Sequence, residues 1–105
     1  MIHENSRRAY NEIRNTLNDR EMEIYDAFLQ NGAMTDRQVR DRLGKDDMND
    51  VRPRISELVQ RGLLIELPYK VLDYKTQIHV RVCRPASVQE FMAHVNKRQM
   101  QMSFA

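Results

Sequence analysis

A chain of 105 residues has room for one hydrophobic core and not for two. With 41% apolar and 30% charged residues of both signs, netting +2, it has the composition of a folded domain rather than of a disordered polyelectrolyte. Cys83 is the single cysteine, which excludes an intrachain disulfide and makes a reducing, cytoplasmic compartment the expectation. The opening MIHENSRRAY lacks the apolar stretch of a signal peptide, and no apolar run reaches the roughly 18 residues of a membrane span. A modest apolar share in so short a chain also predicts that a partner or a second copy supplies part of the stability.

In residues 5–17, Ala9, Tyr10, Ile13 and Leu17 recur at helical spacing and predict a first helix with one narrow apolar stripe. Asn18 with Glu21 is a capping-box pattern that starts a fresh helix. Met22, Ile24, Tyr25, Phe28 and Leu29 cover a wide arc of it, as suits burial between several neighbours, and Gly32 ends it. Thr35 with Gln38 repeats the cap, followed by Val39, Leu43 and a stop at Gly44.

Lys45-Asp46-Asp47 then leads into NDVRPRISELVQRGLL, residues 49–64, where Met48, Val51, Ile55, Leu58 and Val59 share one face and Gly62 closes the helix. A mid-helix proline costs ~3 kcal/mol, whereas in the first turn its missing N–H has no intrahelical partner to lose. Pro53 therefore predicts a helix that starts at Asn49 or Asp50, capped by one of those side chains. Arg52 and Arg54 then stand near its exposed N-terminal end.

After Gly62 the period changes. Leu63 to Leu67 reads as a strand stopped by Pro68, and Thr76 to Val82 alternates, Ile78, Val80 and Val82 to one side, Gln77, His79 and Arg81 to the other. The two should pair as a hairpin with a loop over residues 68–75, and Pro85 ends the second strand. Ser87 with Glu90 opens a last helix carrying Val88, Phe91, Met92, Val95 and Met102 on one side, with the tail KRQMQMSFA fraying.

Three helices followed by a hairpin over residues 18–85, carried by MTDRQVRDRLGK, DVRPRISELVQRGLL and TQIHVRV, resemble the winged helix-turn-helix domain over about two thirds of the chain. The run V-R-P-R-I-x-E-L-x-x-x-G-L-L is similar to small winged-helix proteins encoded by bacteriophages. A helix on each flank resembles the multiple-antibiotic-resistance regulators, in which such helices build a dimer. The resemblance implies one mainly α domain with a small β-hairpin, over residues 1–105. It divides into an N-terminal helix (1–17), a winged-helix core (18–85) and a C-terminal helix with its tail (86–105).

It also implies a DNA-reading role for the third core helix, which in such domains enters the major groove by its N-terminal end, with the wing beside it. A helical wheel puts Asn49, Pro53, Ser56 and Gln60 opposite the apolar face, flanked by Arg52 and Arg54. Asn and Gln match adenine, Arg matches guanine, and Pro or Ser meets a thymine methyl. Flanking arginines instead grip phosphates on the groove walls. In PYKVLDYKT, Tyr69, Lys70, Tyr74 and Lys75 interleave aromatic and basic side chains suited to the backbone. Thr35 and Arg37 stand at a helix N-terminus that suits a phosphate, with Lys45 and Arg40 as further cations. Against this, Asp46, Asp47, Asp50 and Glu57 offset Lys45, Arg52, Arg54 and Arg61, and a polar outward face is also what any solvated helix shows.

The stripes Tyr10, Ile13, Leu17 and Val88, Phe91, Met92, Val95 serve either a homodimer interface or packing on the chain's own core. His3, His79 and His94 are scattered, without spaced acidic or cysteine partners, and the glycines stand singly, so no metal, cofactor or catalytic centre is expected. The expectation is a homodimeric, sequence-specific double-stranded-DNA-binding regulator in a bacterial host cytoplasm, with a phage-encoded origin as what that resemblance implies. The alternatives are a module that docks on a host or phage protein and a replication or recombination accessory factor.

Overall fold

The computed structural model describes the backbone of residues 4–103 and the side chains of residues 7–98. Along it run α1 (Glu4–Asn15), α2 (Asp19–Asn31), β1 (Met34–Thr35), α3 (Asp36–Leu43), a 3-10 turn (Met48–Asp50), α4 (Arg52–Gln60), β2 (Leu64–Asp73), β3 (Ile78–Pro85) and α5 (Val88–Ser103). The protein is mainly helical with a small antiparallel sheet, in strand order β1-β3-β2.

Local chemistry accounts for most helix starts. Asn18 Oδ1 accepts from the Glu21 amide at 2.9 Å, and Glu21 Oε1 accepts from the Asn18 amide at 3.0 Å. The same reciprocal pair joins Thr35 to Gln38 and Ser87 to Glu90. Each box satisfies amides that the first helical turn leaves without partners.

The start of α4 differs from expectation. Neither Asn49 nor Asp50 caps it; Asp47 instead accepts from the Asn49 amide at 2.9 Å and nucleates the 3-10 turn. The chain enters α4 through Val51, which has no side-chain cap and is fully buried. Burial of that apolar residue places the leading turn where the sequence pattern suggested a polar cap. Pro53 falls in the first turn, where its missing N–H is harmless.

The hairpin is longer than the sequence suggests. Pro68 does not stop β2, which continues to Asp73. From Glu66↔Cys83 to Lys70↔Arg81, β2 advances four residues while β3 advances two, so two extra residues bulge out of the ladder. Pro68 lies in that bulge on the sheet edge, where a missing donor costs no ladder bond. The loop is therefore not residues 68–75 but the tight turn between Asp73 and Ile78. Gln77 N–H donates to the Asp73 carbonyl at 2.7 Å there, and Gln77 takes a positive φ of 60°. Strand β1 leaves no periodic signal in the sequence, because its register, Met34↔Cys83 and Thr35↔Val82, covers too few residues to alternate.

Directly paired residues share a face of an antiparallel ladder. One face carries Glu66, Lys70 and Leu72 with Cys83, Arg81 and His79; the other carries Ile65, Val71 and Asp73 with Arg84, Val80 and Ile78. Along the alternation read from Thr76 onward, Val82 is buried but Ile78, near the turn, lies 61% exposed.

One continuous apolar cluster joins Tyr25 and Phe28 of α2, Val39 of α3, Ile55 and Leu58 of α4, Cys83 of β3 and Phe91 of α5. The arc on α2 is narrower than expected, because Leu29 is exposed. Helices α1 and α5 close the cluster against each other: the Tyr10 and Phe91 rings meet edge to face at 5.8 Å, and Ile13, Leu17, Met92 and Val95 pack partly buried beside them. Both stripes thus pack within the chain, with Phe91 fully enclosed and Val88 only half-buried. Helix α5 continues through the tail to Ser103 instead of fraying, while the Met102 side chain lies outside the described residues. Among the described residues no helix is long and apolar enough to cross a membrane.

Candidate nucleic-acid interface

The leading end of α4 faces outward. Asn49, Arg52 and Pro53 are exposed and Arg54 and Ser56 half-buried, with the Arg52 side chain 59% accessible. Arg54 Nη1 folds back to donate to the Asp50 carbonyl at 3.2 Å. Gln60 is exposed at the other end of the helix, roughly 12 Å along the axis from Arg52 at 1.5 Å per residue. Its carbonyl accepts from His94 Nε2 at 2.8 Å and Arg98 Nη1 at 3.3 Å, which ties that end to α5.

Asp36, buried at the first turn of α3, joins the parts of this surface. Arg81 Nε donates to its Oδ1 at 3.1 Å and Arg81 Nη2 to its Oδ2 at 3.1 Å, while the Arg52 guanidinium lies 3.8 Å away. Arg81 Nη2 also reaches the Arg52 carbonyl at 3.3 Å. Burial opposes the Arg81 charge, but the hydrogen bonds and charge of Asp36 outweigh it and leave its pKa above the ordinary value.

Arg37, the next residue, binds the far end of the hairpin: its Nε donates to Asp73 Oδ2 at 2.7 Å. That bond holds the Asp73 carboxyl below its usual range. A cleft of about 600 Å³ runs between α3 and the hairpin tip, past Gln38, Val71 and Tyr74.

The expected phosphate contacts therefore divide. Thr35 is buried and its hydroxyl oxygen accepts from the Gln38 amide, so it serves as a cap. Arg37 is engaged by Asp73, Arg40 by Asp41, and Lys45 by Glu23 on α2 at 3.4 Å. Lys70 and Lys75 are exposed and form no ion pair among the described residues, and Tyr74 is 82% exposed at the tip. Lys70 lies on a strand and not in a loop, on the sheet face of Arg81, the residue that touches α4.

His79 shares that face and is exposed, so it belongs with Lys70 as a candidate contact that sequence reasoning left out. Its place opposite Ile78 in the alternation was the available signal. Asp46, Asp50 and Glu57 are exposed around α4 and keep its surroundings of mixed charge. Among the described residues no group of three or more His, Cys, Asp or Glu is placed to hold a metal ion. No protein-family model and no curated protein matches the chain.

Proposed function

We propose that the chain is a winged helix-turn-helix protein that binds double-stranded DNA sequence-specifically, as a small homodimeric transcriptional regulator. In this reading α4 enters the major groove by its leading turn and the β2–β3 hairpin is the wing. Asn49 and Pro53 meet base edges, while Arg52, Lys70 and Lys75 meet phosphates. The observation that carries the reading is the uncovered end of α4, with Arg52 59% accessible and the same turn bonded to the hairpin that bears Lys70. The order β1-β3-β2 around three helices supports the fold assignment. Dimer contacts fall to the half-exposed remainder of the Ile13, Leu17, Met92 and Val95 stripes, since Phe91 is taken up by the core.

Selection of bound duplexes from a random pool, followed by salt titration of the winner and of an unrelated duplex, tests the proposal. Steep salt dependence, weakened by Lys70→Ala with Lys75→Ala, is expected, at about one counterion per lost phosphate contact. A two-fold symmetric selected site is expected for the dimer.

A protein-docking module is the second reading. It is favoured by the exposed acids Asp46, Asp50 and Glu57 beside α4 and by the exposed apolar surface of Tyr69, Tyr74 and Ile78. Absence of duplex binding at low salt would favour it.

A further inference from the structure

Helices α2, α3 and α5 each begin on a side-chain cap, whereas α4 has none. Arg81 does not replace that cap, since a guanidinium only donates and the orphan groups of a first turn are amides. It ties the turn to the sheet instead: one planar guanidinium bonds the Asp36 carboxylate through Nε and Nη2 and the Arg52 carbonyl through Nη2. Those bonds connect the first residue of α3, the middle of β3 and the first residue of α4. Asp36 is only 8% exposed, so water competes little for the pair. The Arg81 charge is balanced by Asp36, with Glu66 Oε1 a further 3.8 Å from its Nη1.

We propose that Asp36 and Arg81 are positioning residues: they set the angle and height of the α4 leading turn against the hairpin, and Arg81 itself touches no DNA. The proposal rests on the reading of α4 as the DNA-contacting helix. It assigns sequence preference partly to residues that meet neither base nor phosphate, because a groove-inserted turn held in the wrong place misaligns every hydrogen bond it makes to base edges.

Arg81→Lys keeps the positive charge but not the planar fork, and a single ammonium cannot reproduce both sets of bonds. The full-length variant is compared with the unaltered chain for affinity toward the selected duplex and toward an unrelated one, across a salt series, with circular dichroism to establish folding. The preference for the selected duplex should fall roughly tenfold, the scale of one lost charge-assisted bond, while the salt slope stays unchanged. Asp36→Asn should lower the same preference without weakening binding to the unrelated duplex. Arg52→Ala, by contrast, should reduce the salt slope by about one on both duplexes.

An unchanged preference in Arg81→Lys, or a salt slope reduced as in Arg52→Ala, overturns the positioning role. An unaltered chain that binds duplexes without preference overturns the sequence-specific reading and this inference with it, and one that binds no duplex at low salt overturns the DNA reading altogether. The unaltered chain also provides a test free of any folding defect. The Arg81 Nε–H resonance should keep its shift when the selected duplex is added, and a large change would mark Arg81 as a direct contact.

Discussion

Gly62 offers the sharpest test of how α5 is seated on the rest of the protein. Its φ of +85° lies in the left-handed region, and a Cβ there would stand 2.8 Å from His94 Cδ2, 3.0 Å from Cγ and 3.3 Å from Cβ. Because the clash extends to the root of the imidazole, the ring cannot swing clear and keep its 2.8 Å bond to the Gln60 carbonyl. Gly44 is the matched control, with φ +66° and open space around the position of a Cβ. Gly44→Ala should therefore show the backbone cost alone, ~1 kcal/mol. Gly62→Ala adds a lost hydrogen bond of ~1 kcal/mol and an overpacking cost of ~1 kcal/mol, for a total of ~3 kcal/mol. Urea denaturation followed by circular dichroism measures both. In thermal melts the midpoints should drop by roughly 5 °C and by roughly 12 °C or more. With His94→Ala already in place, the 2.8 and 3.0 Å ring contacts are gone and only the 3.3 Å Cβ contact stays, so the cost of Gly62→Ala should fall most of the way toward that of Gly44→Ala, a coupling that a double-mutant cycle reads directly. Equal costs for the two glycines, or additivity with His94→Ala, would refute this account of the α4–α5 junction.

Arg84 donates to the Glu90 carboxylate at 2.9 and 2.8 Å and holds its pKa at about 2, with the Ser87 amide assisting. A depressed carboxyl stabilises the fold above its ordinary value of 4.5 and loses that contribution as the pH falls toward about 2. Glu90→Gln should thus flatten the decline of the melting midpoint with acid in that window at low salt; an unchanged slope there refutes the linkage. Cys83 is fully buried, and burial pushes its thiol up to about 11. At about pH 8 a thiol reagent should label it only as fast as the protein unfolds, and rapid stoichiometric labelling of the folded chain would contradict its placement in the core.

Sequence by itself determined what depends on residues three or four apart. Asn18 with Glu21, Thr35 with Gln38 and Ser87 with Glu90 form the reciprocal bonds their spacing announces, and Pro53 falls in a first turn. The apolar periods likewise placed Ile55 and Leu58 on one buried face of α4, in line with Val51 buried at its entrance. Even local reading failed where a tertiary demand won. Burial of Val51 displaced the expected Asn49 or Asp50 cap, and a bulge at the sheet edge let β2 run through Pro68.

The candidate site was legible as a set of residue types, not as an arrangement. Asn49, Arg52, Pro53, Lys70 and Lys75 are exposed as expected, but nothing local tells Arg37 from Lys70. The first is bound to Asp73, 36 positions away, and the second sits on a strand. Asp36 and Arg81, 45 positions apart, meet only because β1 pairs with β3 and brings the start of α3 to the hairpin. The apolar stripes of α1 and α5 suit a partner or their own core equally well, and the fold places them against each other. Short-range order follows from the few ways a backbone turn can satisfy its amides. Which charges meet is decided by chain closure, since an ion pair forms between whatever carboxylate and guanidinium the packed elements carry within reach.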